Sequence, residues 1–238
     1  MPGEATGKIP TAITLNTLPK ESLGLYIHLP WCVRKCPYCD FNSHAIKQEF
    51  PEQQYVSALI SDMEFESTQL GQYTIGSIFL GGGTPSLFSG VSIARILDSA
   101  ANLLSLSDDC EVTLEANPGA ADAEHFRLYR QAGVNRLSLG FQSMNNDQLK
   151  ALGRIHTVEE SLEAYEVALS AGFKNINIDL MFGLPGQSVA NGLEEVERVM
   201  ELEPQHISWY QLTIEPNTAF AHAPPSLPDE DQIDVLHG

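Results

Sequence analysis

The sequence predicts an α/β fold, a partial (β/α)6 TIM-like barrel. Three observations lead there. Short apolar strand-like runs alternate with segments of helical periodicity from residue 23 to residue 213. The segments Ala132-Gly133-Val134 and Ala171-Gly172-Phe173 echo each other, each a helix C-cap glycine leading into a strand. Unusual residues recur where the strands run into their following loops. Alternating elements of this kind give a parallel sheet with right-handed crossovers and helices outside. At 238 residues with 43% hydrophobic content, the chain suits one large domain with a sizeable core.

Residues 1–22 mix Gly, Pro, Thr and Lys without periodicity and read as a flexible tail. The first strand is expected at Leu23–His28. Tyr55, Val56, Leu59, Ile60 and Met63 then recur at helical spacing within a helix from Pro51 to Leu70. A short strand, Ile78–Leu80, runs into Gly81-Gly82-Gly83-Thr84-Pro85. The pattern continues as helix Val91–Leu104, strand Glu111–Glu115, helix Asp122–Gln131 and strand Arg136–Gly140. A helix starts at Thr157, where Glu160 three residues on completes a capping box. Strand Ile176–Met181, helix Ser188–Leu202 and strand His206–Thr213 complete six strands and five helices. The last stretch is Pro-rich and acidic, and Asp229-Glu230-Asp231 reads as a solvated helix start.

Three of the four cysteines, Cys32, Cys36 and Cys39, share the loop after the first strand. A loop this tight does not readily close good disulfides among its own cysteines, whereas thiolates two to four residues apart converge on a metal or an iron–sulfur cluster. Two sites fit: a tetrahedral zinc of three thiolates and one imidazole from His28 or His44, or an iron–sulfur cluster. Cys110 stands apart and reads as a small buried residue.

The formal charge of −18, from 31 acids against 13 bases, argues against nucleic acid as a partner, since phosphate neutralisation needs clustered Lys and Arg. There is no secretory signal, and no apolar run approaches the roughly 20 residues of a transmembrane segment. A soluble, cytoplasmic protein is expected. In parallel β/α folds the functional groups sit at the C-terminal ends of strands. The cysteine loop, the Gly81–Pro85 loop, Glu115, Gln142 and Asp179 all fall at or near that rim.

The cysteine spacing, with Tyr38 just before the third cysteine, resembles the radical S-adenosylmethionine (SAM) signature. The longer string from Gly24 to His44 is similar to the haem-chaperone branch of that family, a relative of oxygen-independent coproporphyrinogen III oxidase. Further matches run through Arg136–Gln142, Gly153-Arg154, Asn177–Pro185 and Ser208–Thr218, so the resemblance covers Leu23 to Pro228. It implies that Cys32, Cys36 and Cys39 hold three irons of a [4Fe-4S] cluster, whose fourth iron stays open to chelate the amino and carboxylate groups of SAM. It implies the partial barrel of the radical SAM type, with a core domain at 23–215 and the start of a truncated C-terminal region at 216–238.

By motif position, Gly82, Gly83 and Thr84 match the segment contacting the methionine portion of SAM, and Glu115 matches a carboxylate at its amino end. Tyr26, Tyr38, Gln142, Arg154 and Asp179 match further SAM contacts of the decarboxylase relative, with Asp179 suited to ribose hydroxyls and Tyr38 to the adenine. The plainer readings are a tight turn for the glycines, a helix N-terminal partner for Glu115, surface polar contacts for Gln142 and Arg154, and a backbone-satisfied strand end for His28. His156, His206 and His237 read as surface or core histidines.

Two functions follow from the resemblance. One is an enzyme of porphyrin biosynthesis, in which a 5′-deoxyadenosyl radical starts decarboxylation of a porphyrinogen propionate. The other is a chaperone delivering haem to acceptor proteins, without coproporphyrinogen oxidase activity. The decarboxylase pattern carries a fourth cysteine two residues after the third, where this chain has Cys39-Asp40-Phe41. That favours the chaperone, although the branch's His-Asn-x-x-Tyr-Trp haem motif has no match here. A zinc-stabilised interaction module is the third alternative.

Overall fold

The computed structural model describes residues 23–47, 50–71, 73–120 and 123–237; the expected tail, 1–22, lies outside them. The chain opens with β1 (Leu23–Leu29), followed by the two-residue strands β2 (Trp31–Cys32) and β3 (His44–Ala45), which pair across the cysteine loop. Then come α1 (Glu52–Ser67), β4 (Thr74–Gly82), α2 (Gly90–Leu103), β5 (Ser105–Ala116), α3 (Ala123–Ala132) and β6 (Arg136–Gln142). The chain continues as α4 (Asn146–Ala151), α5 (Val158–Ser170), β7 (Ile176–Phe182), α6 (Val189–Met200), β8 (His206–Gln211), α7 (Ala219–His222) and α8 (Glu230–His237).

All six expected strands are present. They form one parallel sheet in the order β1-β4-β5-β6-β7-β8, in which β1 and β8 each pair on one side only. The barrel is therefore open between its first and last strands. Because side chains alternate across a strand, one face of each carries the core. Ile27, Leu29, Ile78, Leu80, Leu114, Leu137, Leu139, Ile176, Ile178 and Leu180 are buried on that face in one cluster with Val56 of α1, Ile93 and Ile96 of α2, and Phe126 of α3. The opposite face carries Tyr26, Phe79, Glu115, Ser138, Asn177, Asp179 and Ser208, held level by the pairings Tyr26 with Phe79, Glu115 with Ser138, and Asp179 with Ser208.

The elements differ from the sequence expectation mainly in length. β4 and β5 are longer at both ends, because glycines and acidic residues break the apolar pattern there, and the β4–β5 pairing itself shifts register between Ile75–Leu106 and Ser77–Glu111. The helix α4 was not expected; at six residues it is too short to show a period, and it is nucleated by Asn145, whose side chain accepts from the Asp147 and Gln148 amides. The acidic run does start a helix, with the Asp229 carboxylate capping the Gln232 amide at 2.9 Å. Cys110 is half-buried in β5, where burial pushes its thiol pKa up, followed by the nearby charges of Asp109 and Glu111.

Gly133 and Gly172 end α3 and α5 with φ of 109° and 90°, backbone that favours glycine. At the start of α5 the capping box is complete: Thr157 Oγ1 accepts from Glu160 N at 3.2 Å, and Glu160 Oε2 accepts from Thr157 N at 2.7 Å. Thr157→Ala is expected to lower stability to urea by about 1 kcal/mol, with Thr157→Ser close to the parent. An unchanged midpoint in Thr157→Ala would show that the box is not holding the helix start.

Candidate functional site

The cysteine loop is built from its flanks inward. Trp31 sits in an aromatic nest, edge-on to Tyr55 at 4.5 Å and beside Phe50 and Phe88 at 5.4 and 5.9 Å. Tyr55 donates its hydroxyl to His28 O at 2.7 Å, tying α1 to the end of β1. Inside the loop, Lys35 Nζ donates to Phe41 O at 2.8 Å and Ser43 O at 3.2 Å, and Phe41 O also accepts from Ser43 N at 2.6 Å, so the ammonium braces the tight turn.

The Gly81–Pro85 loop packs directly on this strand end. A Cβ on Gly82 would lie 2.4 Å from the His28 ring, and one on Gly83 would lie 2.6 Å from the Pro30 carbonyl carbon. Glycine is thus required at 83 for close approach of two backbones and at 82 to leave room for the His28 ring. The amides are committed as well: Gly82 N donates to Glu115 Oε2 (3.1 Å), Gly83 N to Leu29 O (2.8 Å) and Thr84 N to Trp31 O (2.7 Å). These three N–H groups are spent on the fold.

At this rim lies a cavity of about 300 Å³. Its wall includes Cys32, Cys36 and Cys39, and eight of the nine expected cofactor residues: Tyr38, Gly82, Gly83, Thr84, Glu115, Gln142, Arg154 and Asp179. Tyr26, the ninth, does not line it. It lies two residues before the strand end on the inner face of β1, exposed, stacked on Phe79 with centroids 6.2 Å apart and bonded through its hydroxyl to His28 Nδ1 at 2.9 Å.

Among the described residues, no three His, Cys, Asp or Glu side chains are already closed around a metal position. The three sulfurs instead line the cavity, each beside a polar side chain. Burial pushes the Cys32 thiol up, offset in part by the Thr84 and Ser43 hydroxyls. Cys36 Sγ accepts from Arg154 NH1 at 3.8 Å, and Cys39 Sγ lies 3.7 Å from Ser43 Oγ. His28 has both ring nitrogens engaged, the second with Asn42 O at 2.8 Å, and His44 is exposed. The donor set facing the cavity is therefore three thiols with no imidazole beside them, which suits a cluster with one open iron better than a Cys3His zinc.

The rest of the cavity suits a cationic, hydroxyl-bearing ligand. Burial raises Glu115 to about 7, with the Gly82 amide opposing and Asp179 adding to the rise. Burial also raises Asp179, opposed by Ser138, Asn177 and Ser208. Ser138 Oγ reaches both Asp179 oxygens at 3.1 and 3.0 Å, and Asn177 Nδ2 donates to Oδ1 at 2.7 Å. Among the described residues, no Lys or Arg makes an ion pair with either carboxylate. Two buried carboxylates without an ion-pair partner among the described residues, with Asp179 feeling the charge of Arg136 only from beyond ion-pair distance, favour a ligand that brings a positive charge. Arg154 donates NH2 to Gly140 O at 3.0 Å, while its buried Nε has no partner among the described residues. Tyr38 packs its ring toward Phe220 at 6.4 Å, and burial holds its hydroxyl well above the usual phenol range.

Sequence reasoning missed Ser138, Asn177, Ser208 and Tyr210. Tyr210 donates its hydroxyl to Gln142 Oε1, and Ser208 Oγ donates to Asn177 Oδ1 at 3.0 Å. The signal that marks them is polar residues at every second position within otherwise apolar strands. The histidines fall as expected: His156 is buried, His206 is exposed beside Arg136, and His237 is exposed with an edge contact to Phe182.

The comparisons with known proteins agree with this geometry. Heme chaperone HemW of Haemophilus influenzae is 51% identical over 91% of this chain and 58% of its own length. The HemW of Escherichia coli is 50% identical over 89% of this chain and 56% of its own. The chain thus spans a little over half the length of the curated relatives it matches. Among solved structures, the coproporphyrinogen III oxidase HemN of Escherichia coli, described as a radical SAM enzyme, superposes with a TM-score of 0.81 at 27% identity, covering 92% of this chain and 52% of that one. Residues 26–202, from β1 through α6, match the radical SAM superfamily. On that match and on the cysteine loop, glycine loop and inner-face carboxylates meeting at one rim, the chain belongs to the radical SAM superfamily.

Proposed function

We propose that this chain is the [4Fe-4S]- and SAM-binding core, at 23–215, of a haem chaperone that acts in the cytoplasm and delivers haem to acceptor haemoproteins. Residues 216–238 would begin a further C-terminal region. The observation that carries the chaperone reading is Cys39-Asp40-Phe41: the position where the decarboxylase pattern has a fourth cysteine is an exposed phenylalanine, 60% accessible. Two relatives named as heme chaperones are 50% and 51% identical, against 27% for the coproporphyrinogen oxidase. In support of solubility, no helix among the described residues is long and apolar enough to cross a membrane.

Cys32, Cys36 and Cys39 would supply three thiolates, and the cluster would provide one-electron chemistry and an open iron for SAM. Glu115 would take the cofactor's ammonium and Asp179 its ribose hydroxyls. Tyr38 would flank the adenine. Arg154, already on Cys36 Sγ, would place a fixed positive charge beside the thiolates.

Haem transfer tests the function directly. Incubated with haem and an apo-haemoprotein, the reconstituted protein is expected to speed holoprotein formation and to leave coproporphyrinogen III unconverted under reducing conditions. Decarboxylation without haem transfer would replace this reading with the oxidase.

Glu115 makes SAM binding pH-dependent. Its carboxyl titrates near 7 in the free protein, and only the carboxylate attracts an ammonium, so SAM affinity should rise from pH 6 to pH 8. In the ligand-free protein the sign is opposite. A carboxyl raised above its unfolded value stabilises the fold below that value and loses this contribution as pH climbs through about 7. Glu115→Gln should bind SAM weakly with no such pH rise, as measured by calorimetry; an unchanged pH profile would remove Glu115 from the cofactor's amino end.

A further inference from the structure

The end of β6 is irregular in a way that the function just proposed does not explain. Between the pairs Leu139 with Ile178 and Gln142 with Leu180, β6 advances three residues while β7 advances two. The extra residue makes a bulge, and Gln142 leaves it with φ of 67°, a left-handed conformation unusual for a residue with a side chain. Such backbone persists only when its surroundings fix it.

They do so here from both sides. On the near side, Arg154 NH2 donates to Gly140 O at 3.0 Å, and His156 Nε2 lies 3.2 Å from Phe141 O. These are consecutive carbonyls within the bulge. On the far side, Glu195 of α6 accepts from Ser143 Oγ and Met144 N, and Arg198 NH1 donates to Met144 O at 2.8 Å.

His156 is 3% exposed, and its Nδ1 is buried without a partner among the described residues. A carbonyl only accepts, so Nε2 carries the proton. Burial, followed by the Arg154 charge, lowers the imidazole to about 4 and keeps it neutral near pH 7. Among the described residues, the one hydrogen bond of this side chain is thus to the carbonyl immediately before Gln142.

We propose that His156 is a positioning residue for the cofactor cavity: by tying off Phe141 O it locks the β6 bulge and the left-handed turn, and so fixes the Gln142–Tyr210 pair on the cavity wall. The effect on cofactor affinity rests on the reading of this cavity as a SAM site; the lock itself does not. A His156 that only fills space would be replaceable by any side chain of similar volume.

The test compares His156→Leu, which keeps volume but has no donor, with His156→Gln, whose amide restores an N–H. On the apo protein, amide exchange across residues 138–146 should quicken about tenfold in His156→Leu, the factor that corresponds to ~1.4 kcal/mol. Exchange in β1 should stay at the parent rate, and His156→Gln should return the 138–146 segment toward it. On the reconstituted protein, SAM Kd should weaken by about the same factor in His156→Leu and recover in His156→Gln. Parent-like exchange and Kd in His156→Leu would overturn the proposal. So would equal losses in both variants, which would show that the donated N–H is not what holds the bulge. Should His156→Leu not fold, His156→Gln alone decides: local exchange and Kd near the parent support the lock, and a loss of both overturns it. If the parent protein binds no SAM, the cofactor reading falls while the exchange measurement still decides the lock.

Discussion

The close approach of Gly82 and Gly83 to the end of β1 is the contact on which the site depends. With no side chain at either position, the His28 ring and the Pro30–Trp31 backbone fill the space where a Cβ would stand. The amides of Gly83 and Thr84 then bond to Leu29 O and Trp31 O. The cysteine loop is consequently fastened to the sheet at its first residue, and Cys32 begins the ligand loop from a fixed point. Adding one carbon here would push the cysteine loop away from the Glu115 side of the cavity. Backbone gives poorly, so the cost would fall on the site's geometry as well as on stability.

The second constraint is electrostatic. A parallel sheet covered on both faces is usually apolar on both. Here the inner face carries Glu115, Ser138, Asn177, Asp179 and Ser208 at neighbouring rungs, so the cavity has a polar wall. Burial raises both carboxyls above their usual range, meaning that the folded chain holds them at a cost. A cationic ligand with hydroxyls offsets that cost. The chain can thus be stable enough to fold while keeping its carboxylates short of a partner, the arrangement expected where ligand binding completes the charge balance.

Much of this was legible in the sequence. Six strands and the five main helices follow from apolar periodicity, and the Thr157–Glu160 box and the Gly133 and Gly172 caps follow from local chemistry that needs no tertiary context. The cavity residues were legible for a different reason: they sit at strand ends, where a parallel fold gathers its functional groups. What stayed hidden depends on long-range packing. Tyr210 meets Gln142 from 68 positions away, a contact that only the curvature of the sheet creates. The close packing of Gly82 on the His28 ring and of Gly83 on the Pro30–Trp31 backbone stayed hidden, since a sequence shows glycines without showing what comes near them. Tyr26 matches a motif position yet does not line the cavity, since it pairs with Phe79, two residues before the His28–Gly81 pair at the rim.

Cys32, Cys36 and Cys39 are proposed to hold an iron–sulfur cluster at the mouth of this cavity. The most direct measurement is an absorption spectrum with iron and sulfide analysis after anaerobic reconstitution, on the parent chain and on Cys36→Ala. A broad thiolate-to-iron charge-transfer band at roughly 400 nm, with roughly four irons per chain and loss of both in the variant, is the expected result. A colourless parent protein that retains zinc would contradict it.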